Sequence, residues 1–266
     1  MTLDAATPDD EVALAQLVES SARAAGALRY GSILRVGTAT AVVNPDSPFL
    51  LGNAAGAVGG TPAQATATLR ALESLYVEAG REEAVVVGSP TSLPELDLVA
   101  DEAGWSAVEE GVVAVAALGG LVPAAGRPCA VRPFADADLP AVAGLLADAA
   151  GLPGGAEQAL LRHVGHRVED PRALVLVAAR DEQPAGVLLA VADRGLAVVT
   201  DLAVDLRARH KGLGTALVAQ AVALLADRGA SLLAAPAEAG GVAQRFWERA
   251  GLTEAYATTT YARRVR

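Results

Sequence analysis

The chain has 266 residues, 52% of them apolar and 3% aromatic, with 31 acidic side chains against 21 Lys and Arg and a net charge of −10. That length exceeds what one core needs and predicts two domains. The acidic balance argues against a nucleic-acid footprint. The imbalance lies wholly in residues 1–127, which hold 6 basic and 16 acidic side chains, while residues 128–266 hold 15 of each. A solvated acidic surface accounts for this; attraction for cationic partners is the sharper reading.

The longest uncharged run, Ser47 to Leu69, contains Pro48, Gly52, Gly56, Gly59, Gly60 and Pro62 together with Asn53, Thr61 and Gln64. Glycine, proline and polar residues at that density exclude a spanning helix, so no membrane partner is expected. The N-terminus has no basic segment and no apolar run, and Cys129 stands alone. A cytoplasmic location is the expectation.

In chain order, a helix is predicted over Asp9–Ala25. Thr61-Pro62 supplies a helix start, as cap and first residue. Ala84–Val87 reads as a strand, Pro94–Ala103 as a helix and Gly111–Leu118 as a β-rich close. The stretch from Gly119 to Pro128 is rich in Gly and Pro and divides the chain. The domains expected are 1–120 and 129–266, with 121–128 as a linker.

The second half repeats the rhythm. Cys129–Pro133 reads as a strand, and Asp136 or Asp138 can cap the helix Leu139–Ala149. Ala156–Val168 is a second helix. Apolar runs from Ala173 and from Gly186 have the length of buried strands, and Leu196–Val204 is another. Gly212–Arg228 carries an apolar stripe at Leu213, Ala216, Leu217, Ala221, Leu224 and Leu225. A strand, a helix ending at Gly251 and the β-rich Ala255–Val265 follow. The doubled order suggests an internal duplication, although two unrelated α/β domains share such rhythms. The fold class predicted is α/β (α+β): a mixed, largely antiparallel sheet flanked by helices.

The strongest signal is the segment from Val199 to Leu217, which runs strand, basic turn, glycines, helix. Free N–H groups at a helix start, with the helix dipole, make an anion site. Gly212 and Gly214 admit a phosphate against the main chain. Lys211 precedes Gly212, so the Walker pattern fails, and Leu217 breaks the dinucleotide pattern.

Arg209-x-x-Gly212-x-Gly214 after Leu202-Ala203-Val204 resembles the R-x-x-G-x-G/A signature of the GNAT N-acetyltransferases. The resemblance covers most of residues 128–266 and implies acetyl-CoA as co-substrate. Leu202, Ala203 and Val204 would pair with pantetheine, and Arg209, His210, Lys211, Gly212, Leu213, Gly214 and Thr215 would hold the pyrophosphate. The first half lacks the motif and resembles a degenerate GNAT-like repeat, giving two such domains in tandem. The activity implied is N-acetyl transfer to a primary amine on a small molecule or peptide. A non-catalytic acyl-CoA-binding or regulatory protein, or a pseudo-domain pair that binds another protein, is the alternative.

Thr200-Asp201-Leu202-Ala203-Val204 resembles the Tyr-Asp-Leu-Ala-Val of aminoglycoside-modifying members, which implies Asp201 as catalytic base or amine anchor. A carboxylate bonded to backbone at a strand bulge is the competing reading. Phe246-Trp247-Glu248-Arg249 resembles the family helix in which a Tyr serves as acid, so Trp247 departs from the pattern. Water, Tyr256 or Tyr261 could replace it, or the thiolate departs unassisted. Trp247 itself reads best as a core aromatic, and Cys129 as a small core residue. His163 and His166 could line an acceptor site, but a solvated helix face is the commoner reading for such a pair. No metal is expected, because no ligand set accompanies the histidines. The acceptor and the oligomeric state stay open.

Overall fold

The computed structural model describes residues 8–49, 52–121, 129–152, 156–180 and 182–266. The first half contains α1 (Pro8–Ala27), β1 (Ser32–Val36), β2 (Ala39–Val43), β3 (Ala55–Gly56), α2 (Pro62–Glu78), β4 (Glu83–Gly88), α3 (Leu96–Glu102) and β5 (Ser106–Ala117). The second contains β6 (Ala130–Pro133), α4 (Leu139–Ala150), α5 (Glu157–Val168), β7 (Ala173–Arg180), β8 (Gln183–Asp193) and β9 (Leu196–Val204). It continues with α6 (Leu213–Asp227), β10 (Leu232–Glu238), α7 (Val242–Arg249) and β11 (Thr253–Arg264). The expected linker lies outside the described residues apart from Leu121. Cys129 is half-buried and precedes β6 rather than lying within it.

Local chemistry explains the element ends. Thr61 caps α2 as read from the sequence: its hydroxyl accepts from Gln64 N, and the Gln64 side chain accepts from Thr61 N. Asp138 does not cap α4. Its carboxylate instead accepts from Ala135 N at 2.8 Å and from Arg132 at 2.6 and 2.7 Å, because a bidentate guanidinium competes for both oxygens.

The described strands form one sheet in the order β1-β2-β3-β4-β11-β5-β10-β9-β8-β7-β6. It is mixed and largely antiparallel, with β3–β4 and β9–β10 the parallel pairs. The last strand of each half joins the other half. β5 pairs with β10 from Ala117↔Leu232 to Gly111↔Glu238, and β11 pairs with β4 from Thr259↔Gly88 to Arg264↔Glu83. β5 and β11 pair antiparallel at the centre. The run Gly111–Ala116 of β5 is buried continuously, as suits a strand covered on both faces.

Helices cover both faces. α6 and α7 pack over β5 and β7–β10 through Leu213, Leu217, Val218, Leu225 and Trp247. α4 and α5 cover the opposite face through Val142, Leu146, Leu160 and Val164. α1 belongs to the first half in sequence, yet Ala15 and Val18 pack with Leu196 and Val198 of β9. α2 and α3 enclose the first half's core with Tyr261 of β11.

This exchange predicts that residues 129–266 expressed alone will aggregate or fail to melt cooperatively. β11 would lose both its neighbours and β10 would become an exposed edge. Size exclusion and calorimetry check this; a soluble, cooperatively melting fragment would contradict it.

Candidate active site

The site lies where β9 and β10 separate. Their parallel pairing runs only through Leu196↔Leu232, Ala197↔Leu233 and Val198↔Ala234. Beyond that point β10 continues against β5, while β9 stays with β8 up to Val204↔Gly186. The β10-facing edge of residues 199–204 therefore has no strand partner among the described residues. Leu202 and Val204 pack toward α6, and Ala203 is buried against α4 and α5.

A one-turn segment, Leu206–Ala208, leads from β9 to Arg209, His210 and Lys211, all exposed. Arg209 Nε donates to Val204 O at 3.4 Å, and Lys211 Nζ donates to Arg207 O at 2.6 Å. Gly212 has φ +87° and begins α6 without a side-chain cap, so the first amides of the helix keep no side-chain acceptor. Leu213 is buried and serves the core. Thr215 is half-buried in the first turn. Gly214 has a packing role too: a Cβ there would stand 3.3 Å from the Phe246 ring, so a bulky substitution would disturb α7 as well as the loop.

Asp201 sits next to a bulge. Leu189 pairs with Asp201 and Ala190 with Val199, which leaves Thr200 as the extra residue. The Asp201 side chain keeps 9% of its surface exposed and turns toward α5. Thr200 Oγ1 donates to its Oδ2 at 2.7 Å. His163 Nε2 lies 3.6 Å and Arg167 Nε 3.7 Å from the same oxygen. Neither nitrogen has a hydrogen-bond partner, and an unmet buried donor costs about 1–3 kcal/mol.

The two histidines do not lie on a solvated face. His163 is 1% exposed and Arg167 2%. The first half reaches over to cover them. Ser47 Oγ lies 3.2 Å from His163 Nδ1, and Phe49 meets the ring edge-on at 4.6 Å between centroids. Tyr30 stacks on His166 at 3.5 Å, and Arg162 Nε donates to Asp46 at 2.7 Å. The i, i+4 spacing of His163 and Arg167 could have marked one helix face. Nothing in the sequence signals that Ser47, Phe49 or Tyr30 packs against it.

Electrostatics argue against a simple base. Burial pushes the Asp201 carboxyl up, but His163, Arg167 and Thr200 more than reverse this and hold it below the usual range. Burial lowers the His163 imidazole; Arg167 and His166 lower it further, and Asp201 only partly offsets them.

Residues 146–252 match the family model described as Acetyltransferase (GNAT) family. This part of the chain is similar to a GNAT acetyltransferase domain. Solved structures extend the likeness to the whole fold. A GCN5-related N-acetyltransferase from Kribbella flavida is 18% identical with a TM-score of 0.66, over 91% of this chain and 95% of that one. One from Sphaerobacter thermophilus is 20% identical with a TM-score of 0.63, covering 98% and 95%. A tandem GNAT protein from the clavulanic acid biosynthesis pathway is 14% identical with a TM-score of 0.63, covering 97% and 96%. No curated protein matches. The fold is thus two GNAT-like domains in tandem.

The first GNAT-like half lacks the equivalent opening. β3 and β4 pair only at Ala55↔Val86 and Gly56↔Val87, but Leu93 N then donates to Val58 O at 2.7 Å and bridges the gap. The Thr61–Gln64 capping box occupies the Thr61 and Gln64 amides at the start of α2.

The thiolate side of the GNAT domain has no tyrosine at the family position. Trp247 is 3% exposed and fills the core beside Phe246. Tyr256 is buried beneath α1, and burial pushes its phenol far up. Tyr261 packs in the first half's core. Gly240, where the family often has Asn, has φ +68°, and its N–H donates to Gln244 Oε1.

The buried cluster predicts acid sensitivity. An unfolded histidine takes up its proton near pH 6.5, about the ordinary value, while folded His163 resists it. Stability is then complete above about pH 6.5 and falls as the pH drops below it. Asp201 adds a loss at lower pH, as its carboxyl is protonated through its depressed folded value. The thermal midpoint should decline between pH 7 and pH 5, and His163→Leu should flatten that decline; parallel slopes in calorimetry would contradict this.

Proposed function

We propose that the second half binds acetyl-CoA along the open edge of β9 and transfers the acetyl group to a primary amine. The observation that carries this reading is the unpaired edge of residues 199–204 leading into an uncapped helix start flanked by exposed Arg209 and Lys211. Main-chain groups of Leu202, Ala203 and Val204 would pair with the pantetheine arm. Amides from Gly212 to Thr215 would meet the pyrophosphate, with Arg209, His210 and Lys211 around it. Bound there, acetyl-CoA supplies an activated thioester carbonyl.

Asp201 acts here as an amine anchor rather than as the base. An ionised carboxylate held low is a poor proton acceptor, but it accepts an amine N–H and so orients the nitrogen lone pair. The ammonium proton leaves to solvent before attack, and as the C–S bond of the tetrahedral intermediate breaks the second nitrogen proton also leaves to solvent. The departing thiolate needs no acid, since thiols ionise at about pH 8.5. Small amines and peptide amines both remain acceptable acceptors, and the cytoplasm is the proposed setting. The acidic first half would favour cationic acceptors at the cleft by steering.

A second reading, a non-catalytic acyl-CoA-binding regulator, draws on Trp247 standing buried where the family places its acid. Release of free CoA during incubation of acetyl-CoA with a panel of amines separates the two. Release with at least one amine class supports transfer; tight binding without release supports the regulator.

Calorimetry should find one acetyl-CoA per chain, and Arg209→Glu should weaken it by about tenfold or more through lost charge at the diphosphate. Two equal sites would return a cofactor role to the first half.

Asp201→Asn should lower turnover by about tenfold or more while changing acetyl-CoA affinity less than about twofold. It also leaves Arg167 as an unpaired buried charge, a destabilisation of about 3–5 kcal/mol. The assay must therefore run well below the variant's melting onset. Full turnover in the folded variant would remove Asp201 from the site.

A further inference from the structure

Buried polar side chains join the two halves directly behind Asp201. Arg167 Nη1 lies 2.8 Å from His163 Nδ1, and a guanidinium has donors only. His163 Nδ1 must therefore present its lone pair, and the neutral ring carries its proton on Nε2. Ser47 Oγ stands 3.2 Å from the same Nδ1 and accepts from Phe49 N at 3.3 Å, which leaves its hydrogen for the imidazole. Ser47 is itself fixed within the first half, because Asn53 Nδ2 donates to Ser47 O at 2.8 Å and Asn53 Oδ1 accepts from Asn44 N at 3.2 Å.

From this geometry we propose that His163 is a positioning residue for Asp201, and that its Nε2–H tautomer, set by Arg167 at Nδ1, is supported from the first half by Ser47. The proposal rests on amine transfer at Asp201. The approaches of Nε2–H at 3.6 Å, Arg167 Nε at 3.7 Å and Thr200 Oγ1 at 2.7 Å are all to Oδ2. Thr200 hydrogen-bonds Oδ2, so Oδ1 is the oxygen proposed to receive the acceptor's N–H. The opposite tautomer would aim a lone pair at Oδ2 and push the carboxylate away from its supports. Water does not replace the Ser47 hydroxyl easily, since Ser47 is 2% and His163 1% exposed. Among the described residues, the charged and titratable groups facing the ring are Arg167 and His166 on its own helix and Asp201 on β9, and the first half presents Ser47 and Phe49 to it. The two sites at 3.6 and 3.7 Å are poised to tighten when an acceptor loads Oδ1, as catalytic hydrogen bonds do on substrate binding.

The test begins with nitrogen-15 NMR of the full chain. It should report His163 as a neutral Nε2–H imidazole at pH 7; an Nδ1–H tautomer or an imidazolium overturns the proposal. Carbon-13 titration of aspartate carboxyls should place Asp201 about one pH unit higher in His163→Leu than in the wild type, a tenfold change in its ionisation constant. Identical titrations overturn it. Ser47→Ala should lower kcat/KM for the best amine of the CoA-release screen by about tenfold, with acetyl-CoA affinity unchanged. Unchanged amine kinetics in a folded Ser47→Ala protein overturns the link to the first half. If the wild type releases CoA with no amine, the transferase reading fails, while the tautomer and the carboxyl titration still decide whether His163 positions Asp201. If His163→Leu does not fold, the wild-type tautomer and Ser47→Ala decide it.

Discussion

The antiparallel pairing of Ser106–Ala117 with Thr253–Arg264 holds the rest of the molecule in place. Each of these strands ends one half of the chain and fills the sheet of the other, so the eleven described strands run as one surface. β10 is fixed against β5, and β9 parts from it after Val198. The opening at the site thus depends on a strand that the second half does not own. A parallel pair that separates needs something to hold each member apart, and here β8 does so for β9 and β5 for β10.

The two halves have one architecture and opposite outcomes at the equivalent helix start. In the first, Thr61 and Gln64 take up each other's amides in a capping box, and the Leu93–Val58 hydrogen bond closes the gap between strands. In the second, Gly212 begins α6 with no side-chain cap, and three basic or imidazole side chains stand exposed beside it. Satisfying a helix terminus internally stabilises the fold and removes an anion site. Leaving it open keeps the site and depends on the surrounding packing for stability. The acidic first half is built on the first plan.

Burial changes what a carboxylate can do. Asp201 lies against a fully buried guanidinium and a neutral imidazole, and the net effect lowers its proton affinity. A buried ion pair contributes little to stability for the desolvation it entails, yet removing one partner is costly. Such a pair is better suited to fixing geometry than to exchanging protons. The first half closes over this pair with Ser47, Phe49 and Tyr30, so the two halves meet through the side chains that support Asp201 as well as through the sheet.

Much of the fold was legible in the sequence, for local physical reasons. Apolar periodicity marked α6, Thr61-Pro62 marked the start of α2, and Gly251 the end of α7. The order strand, basic turn, glycine, helix marked the loop from Arg209 to Thr215 and the start of α6, because that pattern involves only neighbouring residues. Other features needed distant ones. Asp138 reads as a cap until Arg132 takes both its oxygens. His163 reads as surface until Ser47 and Phe49 cover it. The strand exchange is invisible, since an apolar run such as Gly111–Ala116 specifies that a strand is buried but not which strand lies beside it. By itself the sequence determined many of the elements, though not β1, β2 or β3, together with the fold class and the position of the loop, all set by interactions over a few residues. Only the tertiary structure decided the partners of β5 and β11, the opening beside β9 and the proton balance at Asp201, because each depends on groups from separate elements whose contact no local pattern encodes.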